Sequence, residues 1–456
     1  MPDRPDPLPG PALAPPAAHH DPGPRRIVVV SASVGAGHDG AAAGLTERLR
    51  AHGYLVDRQN FLDLLPAGAG RLVCGTYHRL LTWAPEGYQH LYRATDRTSR
   101  PSWIWRALFR SAERRLLRGL PPDTRAVVST YPGASQVLGA LRRRGLLTVP
   151  ALTYLTDFSV HGLWIADGVD AHLAVHAVPA AQAHAQGAAA VTVAGPVTDA
   201  RFSPPADGQR SAARARFGLP AHAPLALLVA GSWGVGPVRE AAAEIRATGL
   251  AVPVVVCGRN SALAGHLRQD GVEHAFGWVD DMPGLMHACD VLVQNAGGLT
   301  SLEAFAAGLP VASYRCIPGH GRTNAEALEE AGLAAWVRRP DDLGPVLAEL
   351  LNGSRGGDQR AAGLALHRSA PGPVPAVAAR TGNRPPSPAS TPAPPSSGPK
   401  GPSARGRRRD RRRLGAAAVT VAATLSLGVL APLACAYEHA PGRFTAVTHY
   451  LHGDRS

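Results

Sequence analysis

The strongest constraint on the fold of this 456-residue chain is an alternation of short apolar runs with longer helical stretches. Between Arg25 and about Gly195 the runs are RIVVVSA, YLVDRQNF, RAVVSTY, PALTYLTD, AHLAVH and AVTVAG. After the Pro- and Gly-rich stretch GPVTDARFSPPADG the alternation restarts with PLALLVAGSWG, VPVVVCGRN, VEHAFGWV, DVLVQNAGG and LPVASYR. Near-continuous apolar strands between helices indicate parallel sheets buried on both faces. The sequence therefore predicts an α/β fold with two Rossmann-like domains, residues 25–200 and 201–368, facing across a cleft at the strand C-terminal ends.

Charge is unevenly distributed along the chain. The net charge is +13, and residues 400–413, KGPSARGRRRDRRR, hold eight Lys or Arg and one Asp, so they supply +7 of it. The net charge on the other residues is modest for so long a chain. A nucleic-acid-binding protein instead carries many basic residues across a folded surface. We therefore expect no nucleic-acid partner. An arginine block beside an apolar segment is instead typical of a membrane boundary.

The two ends of the chain differ in composition from the predicted domains. Residues 1–24 lack the pattern of a signal peptide and are predicted to be a disordered leader. Residues 369–413, first Pro/Ser-rich and then Arg-rich, predict a disordered linker. Residues 414–437 carry no charge over 24 positions, long enough for a transmembrane helix before a short tail, 438–456. The arginines would hold both domains on the cytoplasmic face of the membrane; the alternative is a fused signal-like segment.

The cysteines and acidic residues give no pattern of a metal site. Five cysteines occur, none in a C-x-x-C pair, which disfavours structural zinc and disulfide staples and fits a reducing cytosolic setting. No D-x-D sequence stands at the end of a predicted strand. We therefore expect neither a metal nor a bound cofactor.

The loop SVGAGHDGAA, residues 33–42, follows the first predicted strand. Gly35, Gly37 and Gly40 fit the G-x-G-x-x-G spacing of a dinucleotide-binding turn, and Asp57 is placed where a ribose-binding acid would end the second strand. A histidine inside the turn, His38, is not needed to cradle phosphate. Its imidazole titrates near neutrality, which favours a catalytic role, against the alternatives of a buried structural histidine or of a turn that only packs closely.

The second half carries glycine turns suited to a diphosphate. In NAGGLTSLEAFAAGLPVASY, residues 295–314, two glycines precede a helix, and Thr300 with Glu303 fits a T-x-x-E capping box. A helix N-terminus behind a bare glycine turn predicts an anion site, although Glu303 could simply cap the helix. The turn AGSWGVG, residues 230–236, and the segment FGW, residues 276–278, follow other strands and would face the same cleft.

Taken together, seven colinear segments resemble a known family: SVGAGHDGAA, YLTDFSVHGLWIADGVDAHLAVH, VAGPVTDARF, VCGRN, GWVDDMPGLMHACDVLV, NAGGLTSLEAFAAGLPV and PGHGRTNA. The resemblance is to the monogalactosyldiacylglycerol synthase group of glycosyltransferase family 28, and it covers roughly residues 26–350. It implies the GT-B fold, a UDP-sugar donor, a diacylglycerol-like lipid acceptor, and metal-independent hexosyl transfer with inversion in glycolipid synthesis.

The resemblance also implies roles for individual residues. His38 would lie close to the reacting centre, with Asp157 as its orienting partner or a rival base, and Gly37 and His161 on the acceptor side. The diphosphate would lie at Gly297, Gly298 and Thr300. The remaining donor contacts would come from Gly231, Ser232, Phe276, Gly277, Trp278, Glu303, His320 and Asn324, with Glu303 at the ribose and residues 276–278 at the uracil.

Two positions depart from the family pattern. Asn295 stands where the family usually has a basic residue, which weakens the charge expected beside the diphosphate. His320-Gly321 replaces Gln-Glu, so galactose and glucose cannot be distinguished as the sugar.

The stretch RPSWIWRALFRSAERRLLRGL, residues 100–120, predicts an amphipathic helix rich in arginine. Trp103, Trp105 and Phe109 would belong to a face that binds an anionic membrane surface; the alternative is a helix packed on the sheet. Just before it, Tyr88 and Tyr92 would shape the lipid entrance.

Three other functions remain open from the sequence. A GT-B enzyme could act on the UDP-sugar itself, as a 2-epimerase does. An NAD-dependent oxidoreductase fits the first glycine loop but leaves the second glycine site unexplained. A catalytically silent nucleotide-sugar binder tethered by its tail would keep the fold without the chemistry.

Overall fold

The computed structural model describes residues 25–97 and 103–381, and these form two six-stranded parallel sheets. The predicted leader, residues 1–24, and the candidate membrane segment, residues 414–437, lie outside the described residues. Within the described part of the chain, no helix is long and apolar enough to cross a membrane.

The first sheet has the strand order β2-β1-β3-β4-β5-β6. Its strands are β1 Arg26–Ser31, β2 Leu55–Asn60, β3 Thr124–Ser129, β4 Ala151–Tyr154, β5 Ala171–Ala174 and β6 Val191–Val193. Ile27 and Val29 pack into one core cluster and Val28 and Val30 into another, so β1 is buried on both faces. Burial of each such side chain stabilises the folded state by roughly 1.5–3 kcal/mol. A strand buried on both faces is therefore apolar at consecutive positions, which is why a continuous apolar run predicts a central parallel strand.

The second sheet has the order β12-β11-β10-β7-β8-β9. Its strands are β7 Leu225–Val229, β8 Val252–Val256, β9 His274–Phe276, β10 Val291–Gln294, β11 Val311–Tyr314 and β12 Ala335–Val337. In each sheet the chain steps outward from a central strand in both directions, so a topological switch point lies beside β1 and beside β7.

Helices cover both sheets. They are α1 Ala36–Ala51, α2 Ala69–Trp83, α3 Pro85–Arg97, α4 Trp103–Gly119, α5 Pro132–Arg143, α6 Ala177–Ala185, α7 Gln209–Arg216, α8 Val238–Ala247, α9 Ser261–Gln269, α10 Met282–Ala288, α11 Leu299–Ala306, α12 His320–Glu330, α13 Leu343–Asn352, α14 Ser354–Ser369 and α15 Pro373–Thr381. Single 3₁₀ turns lie at Phe61–Leu64, Gly162–Trp164 and Pro340–Asp342.

The folded part of the chain continues beyond the predicted boundary at residue 368. The predicted linker, residues 369–413, begins with α15, whose Val374 and Val377 are buried in the core cluster that also contains Ile27. Pro373 stands at the first position of this helix, where a missing N–H costs nothing. Helix α15 therefore connects the end of the second domain to the first domain.

The described side chains of helix α4 pack against the first domain, which agrees with the alternative of a helix packed on the sheet. Phe109 packs beside Phe61, with ring centroids 6.0 Å apart, and Ala112 and Leu116 are buried in the first-domain core. Phe109 is thus partly buried against the first-domain core. The side chains of Trp103 and Trp105 lie outside the described residues.

Candidate active site

The two domains enclose one cavity of about 760 Å³ at the C-terminal ends of their strands. Its walls come from the start of α1, from α2 and α3, from the segment after β4, and from the loops that follow β7 and β10. A cleft at this edge of two parallel sheets is the usual ligand site of open α/β folds.

The first glycine segment is mostly helix and not the turn predicted from G-x-G-x-x-G. Helix α1 begins at Ala36 with Gly35 as its N-cap, so Gly37 and Gly40 lie within its first two turns. Gly40 has a packing role: a Cβ atom there would collide with the Leu299 side chain of the second domain. The glycines therefore allow two helix N-termini to approach each other across the cleft.

His38 lies in the first turn of α1 and lines the cavity. Its Nδ1 lies 3.0 Å from Thr156 Oγ1, and its ring packs against Tyr131 and Trp164, with centroids 5.4 and 5.9 Å away. Burial lowers the pKa of His38, and the nearby negative charge of Asp157 opposes that shift only in part. At neutral pH the imidazole is therefore neutral and able to accept a proton.

Asp157 and His320 complete a polar group around His38. Trp164 Nε1 donates a hydrogen bond to Asp157 Oδ2 at 3.3 Å, and Asp157 raises the pKa of both histidines through its charge. His320, at the first position of α12, comes from the second domain, and its Nδ1 lies 3.2 Å from the hydroxyl of Tyr88. Burial, reinforced by His38, lowers the pKa of His320. The structure thus brings together residues that the sequence assigned to separate donor and acceptor sites.

The opposite wall is built by α11. Gly297 has a φ of +72° and lies against the Asn324 side chain, where a Cβ atom would collide, so the sharp turn before the helix requires glycine. The N-cap of α11 is Gly298, which makes no side-chain cap. The predicted capping box is therefore wrong, because Thr300 lies inside the helix and Glu303 is free to face the cavity.

Glu303 has the most perturbed carboxyl group of the cavity wall. Burial and the charge of Asp199 raise its pKa to about 8, so at pH 7 it is mostly protonated and neutral. A protonated carboxyl group can donate as well as accept hydrogen bonds.

Most, but not all, of the predicted donor residues line the cavity. Gly231, Ser232, Trp278, Gly297, Gly298, Thr300, Glu303 and His320 do so. Phe276 instead packs on Phe217, with ring centroids 6.2 Å apart, and Gly277 lies beside it away from the cavity wall. Asn324 is fully buried: Ser159 N donates to its Oδ1 at 2.8 Å, and its Nδ2 donates to Ala296 O at 3.0 Å. Asn324 therefore joins the two domains and is not a sugar contact in this arrangement.

The predicted acceptor residues Gly37, Tyr88, Tyr92 and His161 also line the cavity. His161 is committed to the fold, because its Nδ1 accepts from Leu163 N at 3.1 Å and its Nε2 lies 3.0 Å from Tyr92 O. Tyr88 and Tyr92 are contacts between the domains rather than an outer entrance: the Tyr92 hydroxyl lies 3.3 Å from Thr323 Oγ1.

Several cavity residues were missed from the sequence. Tyr77 and Trp233 meet across the domains with ring centroids 5.7 Å apart. Arg201, in the linker between the domains, is the single Arg or Lys among the described residues that line the cavity, and it is paired with Asp199 at 2.7 Å. Asn295, which replaces a basic residue of the family pattern, is nearly buried and donates to Val235 O at 2.9 Å. Arg201, Trp233 and Asn295 lie in segments singled out above, VAGPVTDARF, AGSWGVG and NAGGLTSLEAFAAGLPV, and only Tyr77 lies outside them.

The predicted ribose acid of a dinucleotide site is not where the NAD hypothesis requires it. Asp57 lies within β2, paired in register with Val28, and its carboxylate binds Arg26 at 2.7 Å. It does not line the cavity. Across residues 25–97 and 103–381, no group of three His, Cys, Asp or Glu is placed to hold a metal ion.

Comparisons with known proteins agree with this architecture. Residues 229–352 match the family described as glycosyl transferases group 1. The glycotransferase of kitacinnamycin has a TM-score of 0.50 at 16% identity, covering 78% of this chain and 97% of that one. Os79 from O. sativa, solved with U2F and trichothecene, has a TM-score of 0.50 at 12% identity, covering 76% and 95%. The two solved structures show the fold. The chain has a GT-B-like fold, and its residues 229–352 are similar to a glycosyltransferase domain.

The chain is also similar to curated proteins over most of its length. The processive diacylglycerol beta-glucosyltransferase of Bacillus pumilus is 24% identical over 339 residues, covering 72% of this chain and 87% of the relative. The enzyme of the same name from Bacillus cereus is 26% identical over 339 residues, covering 70% and 83%. The predicted resemblance to a group of glycolipid-forming glycosyltransferases is confirmed.

Proposed function

We propose that this enzyme transfers a hexose from a UDP-sugar to the hydroxyl group of a diacylglycerol-like lipid, with inversion at the sugar. The observation that carries the proposal is a single cleft that has a neutral imidazole, His38, on one wall and a bare helix N-terminus, α11, on the other. The curated relatives, named for glucosyl transfer to diacylglycerol, support the choice of acceptor.

The donor half of the proposal follows from charge. Gly298, Leu299 and Thr300 at the start of α11 line the cavity, and the free N–H groups of a helix N-terminus suit a diphosphate. Neutral Glu303 adds no negative charge beside it, and it can hydrogen-bond the ribose hydroxyl groups. Trp278, with Arg259 over its ring at 5.1 Å, offers an aromatic face to the base.

The acceptor half follows from the surroundings of His38. When Nδ1 carries the proton and donates to Thr156 Oγ1, Nε2 is left free to take a proton from the lipid hydroxyl. The hydroxyl oxygen attacks the anomeric carbon from the face opposite UDP, a C–O bond forms, and the bond to the diphosphate oxygen breaks. The negative charge of Asp157 stabilises the imidazolium formed at His38, while the α11 N-terminus stabilises the charge on departing UDP.

We propose that transfer needs no metal, because the helix N-terminus and Arg201 supply positive charge to the leaving group. Transfer should then be unaffected by a chelator. We also propose that the enzyme works at the cytoplasmic face of a membrane, with residues 400–413 and 414–437 as the attachment. Carbonate extraction of membranes should leave the chain in the pellet, and its complete release would contradict attachment by a membrane span.

The central test incubates the full-length enzyme with UDP-glucose or UDP-galactose and diacylglycerol in mixed micelles, following UDP release and the glycolipid product. His38→Ala should lower kcat by roughly 10²–10⁴-fold while UDP affinity is retained, because general-base catalysis contributes that much. His52→Ala, at the other end of α1 and exposed, is the matched control. Equal activity of His38→Ala and wild type would rule out the assigned chemistry, and UDP binding by a wild type that transfers no sugar would indicate a silent binder.

A further inference from the structure

The inner face of α2 forms an apolar wall of the cavity that the donor does not need. Val73, Tyr77 and Leu81 all line the cavity, and their four-residue spacing places them on one face of the helix. At 1.5 Å rise per residue this face extends over about 12 Å. We call these three residues the α2 wall.

The α2 wall lies across the cleft and contacts both domains. At one end, Val73 packs with the first-domain core, which contains Phe61. In the middle, Tyr77 packs against Trp233 of the second domain. At the other end, Leu81 clusters with Tyr88 and with Ile317, again from the second domain. The α2 wall therefore covers the region of the cavity that contains His38, Asp157 and His320.

The chemistry of the α2 wall suits a hydrocarbon and not a nucleotide. None of its three side chains is charged at neutral pH. Val73 and Leu81 have no ionisable group, and burial raises the pKa of the Tyr77 hydroxyl well above its ordinary value. The groups suited to phosphate, ribose and base lie on the α11 side of the cavity. What remains uncovered on the α2 side is apolar surface beside the proposed base.

The outer face of the same helix has the opposite character. Arg71 and Arg79 are exposed there, and Trp83, at the C-terminal end of α2, is 84% exposed. Arginines and an exposed tryptophan at a helix end are favoured at the surface of an anionic bilayer. An acceptor that passes from a bilayer into the cleft would therefore meet α2 first.

We propose that the α2 wall is the binding site for an acyl chain of the acceptor lipid, holding the methylene groups next to the glycerol while the free hydroxyl lies at His38. This assignment rests on the proposed function for the identity of the acceptor. It adds a binding site on residues 73–81 that determines the preference for long acyl chains.

A substitution that fills the wall tests the proposal. Wild-type enzyme and Val73→Trp are compared on dibutyrylglycerol and dioleoylglycerol in the same detergent micelles, with Thr82→Trp as the control because Thr82 lies exposed on the outer face of α2. Val73→Trp should remove the contact with about two methylene groups of the acyl chain. The ratio of kcat/KM for dioleoylglycerol to kcat/KM for dibutyrylglycerol should therefore fall about tenfold. UDP affinity should be unchanged in both variants. An unchanged chain-length preference in a Val73→Trp enzyme that still binds UDP would refute the assignment.

A binding experiment that does not depend on turnover separates this proposal from the proposed function. A diacylglycerol with a diazirine in one acyl chain is photolysed with the full-length enzyme, and tryptic peptides are mapped. Cleavage at Arg71 and Arg79 releases residues 72–79 as one peptide, which contains Val73 and Tyr77. Label on this peptide, competed by dioleoylglycerol, supports the site even if no sugar is transferred. Leu81 lies on the next peptide, residues 80–93, so label confined to peptides outside residues 72–93 overturns the assignment even if transfer is observed.

Discussion

The protonation of Glu303 provides a quantitative test of the donor site. Its carboxyl group lies on α11 in the cavity wall, and burial together with the charge of Asp199 raises its pKa to about 8. UDP is an anion, so it should bind the form of the enzyme in which this carboxyl group is neutral. We expect UDP to bind more weakly as pH rises through 8.

The size of the effect follows from the pKa. With a pKa of about 8, the neutral fraction of Glu303 falls from about nine tenths at pH 7 to about one tenth at pH 9. If UDP binds only the neutral form, Kd should rise between roughly eight- and tenfold over those two pH units. Glu303→Gln keeps the shape of the side chain and removes its titration, so its Kd should stay constant across the same range.

Isothermal titration calorimetry of UDP from pH 6 to 9.5 at constant ionic strength measures this dependence. The ratio of wild-type to Glu303→Gln Kd isolates Glu303 from other titrating groups, and Glu47→Gln, on α1 at the opposite wall of the cavity, serves as the control. A ratio that is the same at pH 7 and pH 9 would refute the reasoning.

The linked effect on stability has a definite sign. A carboxyl group whose pKa is raised in the folded state makes the folded protein less stable as pH rises above the pKa of that group in the unfolded chain. Glu303→Gln should therefore raise Tm more at pH 8 than at pH 4.

Three further predictions concern the base, the contact between the domains and the core. Because burial lowers the pKa of His38, kcat/KM should fall on the acid side with a midpoint below pH 6.5, and a midpoint at or above 6.5 would contradict the assigned base. Tyr88→Phe removes the hydroxyl that contacts His320 Nδ1, so KM for the UDP-sugar should rise about fivefold in steady-state assays, as expected for loss of a hydrogen bond of about 1 kcal/mol. Val377→Ala in α15 should lower the free energy of unfolding in urea by about 2 kcal/mol, because it leaves a cavity where the side chain is fully buried.

The strands were well predicted because they carry a local pattern. Each of the eleven predicted apolar runs contains a strand of one of the two sheets. β12, Ala335–Val337, was missed although it is as long as β6 and β9, because its apolar residues follow the small apolar stretch AGLA after α12 without a break in the pattern. α15 was missed because its Pro- and Ala-rich sequence resembles the following linker, and only tertiary packing of Val374 and Val377 orders it.

The site was predicted less completely, for a different physical reason. The approximate positions of His38, Asp157 and α11 follow from strand ends, which the sequence marks. The contact of Tyr88 with His320 joins residues 232 positions apart, and no local periodicity encodes it. The capping box failed because Gly298, with no side chain, is the N-cap of α11 and Thr300 lies two residues too late to cap. That difference is functional, since a capped N-terminus would present fewer free N–H groups to a ligand.

The three groups at the centre of the cleft together indicate which of them accepts the proton. Two buried imidazoles, His38 and His320, lie near one carboxylate, Asp157, which raises the pKa of both while His38 lowers that of His320. One negative charge can offset only one imidazolium in such a site, so a proton taken up at one histidine disfavours protonation of the other. Nδ1 of each histidine contacts a hydroxyl group, that of Tyr88 for His320 and that of Thr156 for His38, and the charge of Asp39 also raises the pKa of His38. Asp157 Oδ2 already accepts a hydrogen bond from Trp164 Nε1. Under the proposed mechanism this arrangement favours His38 as the group that takes up the proton and leaves His320 neutral, and the contact of Tyr88 with His320 joins the two domains at this point.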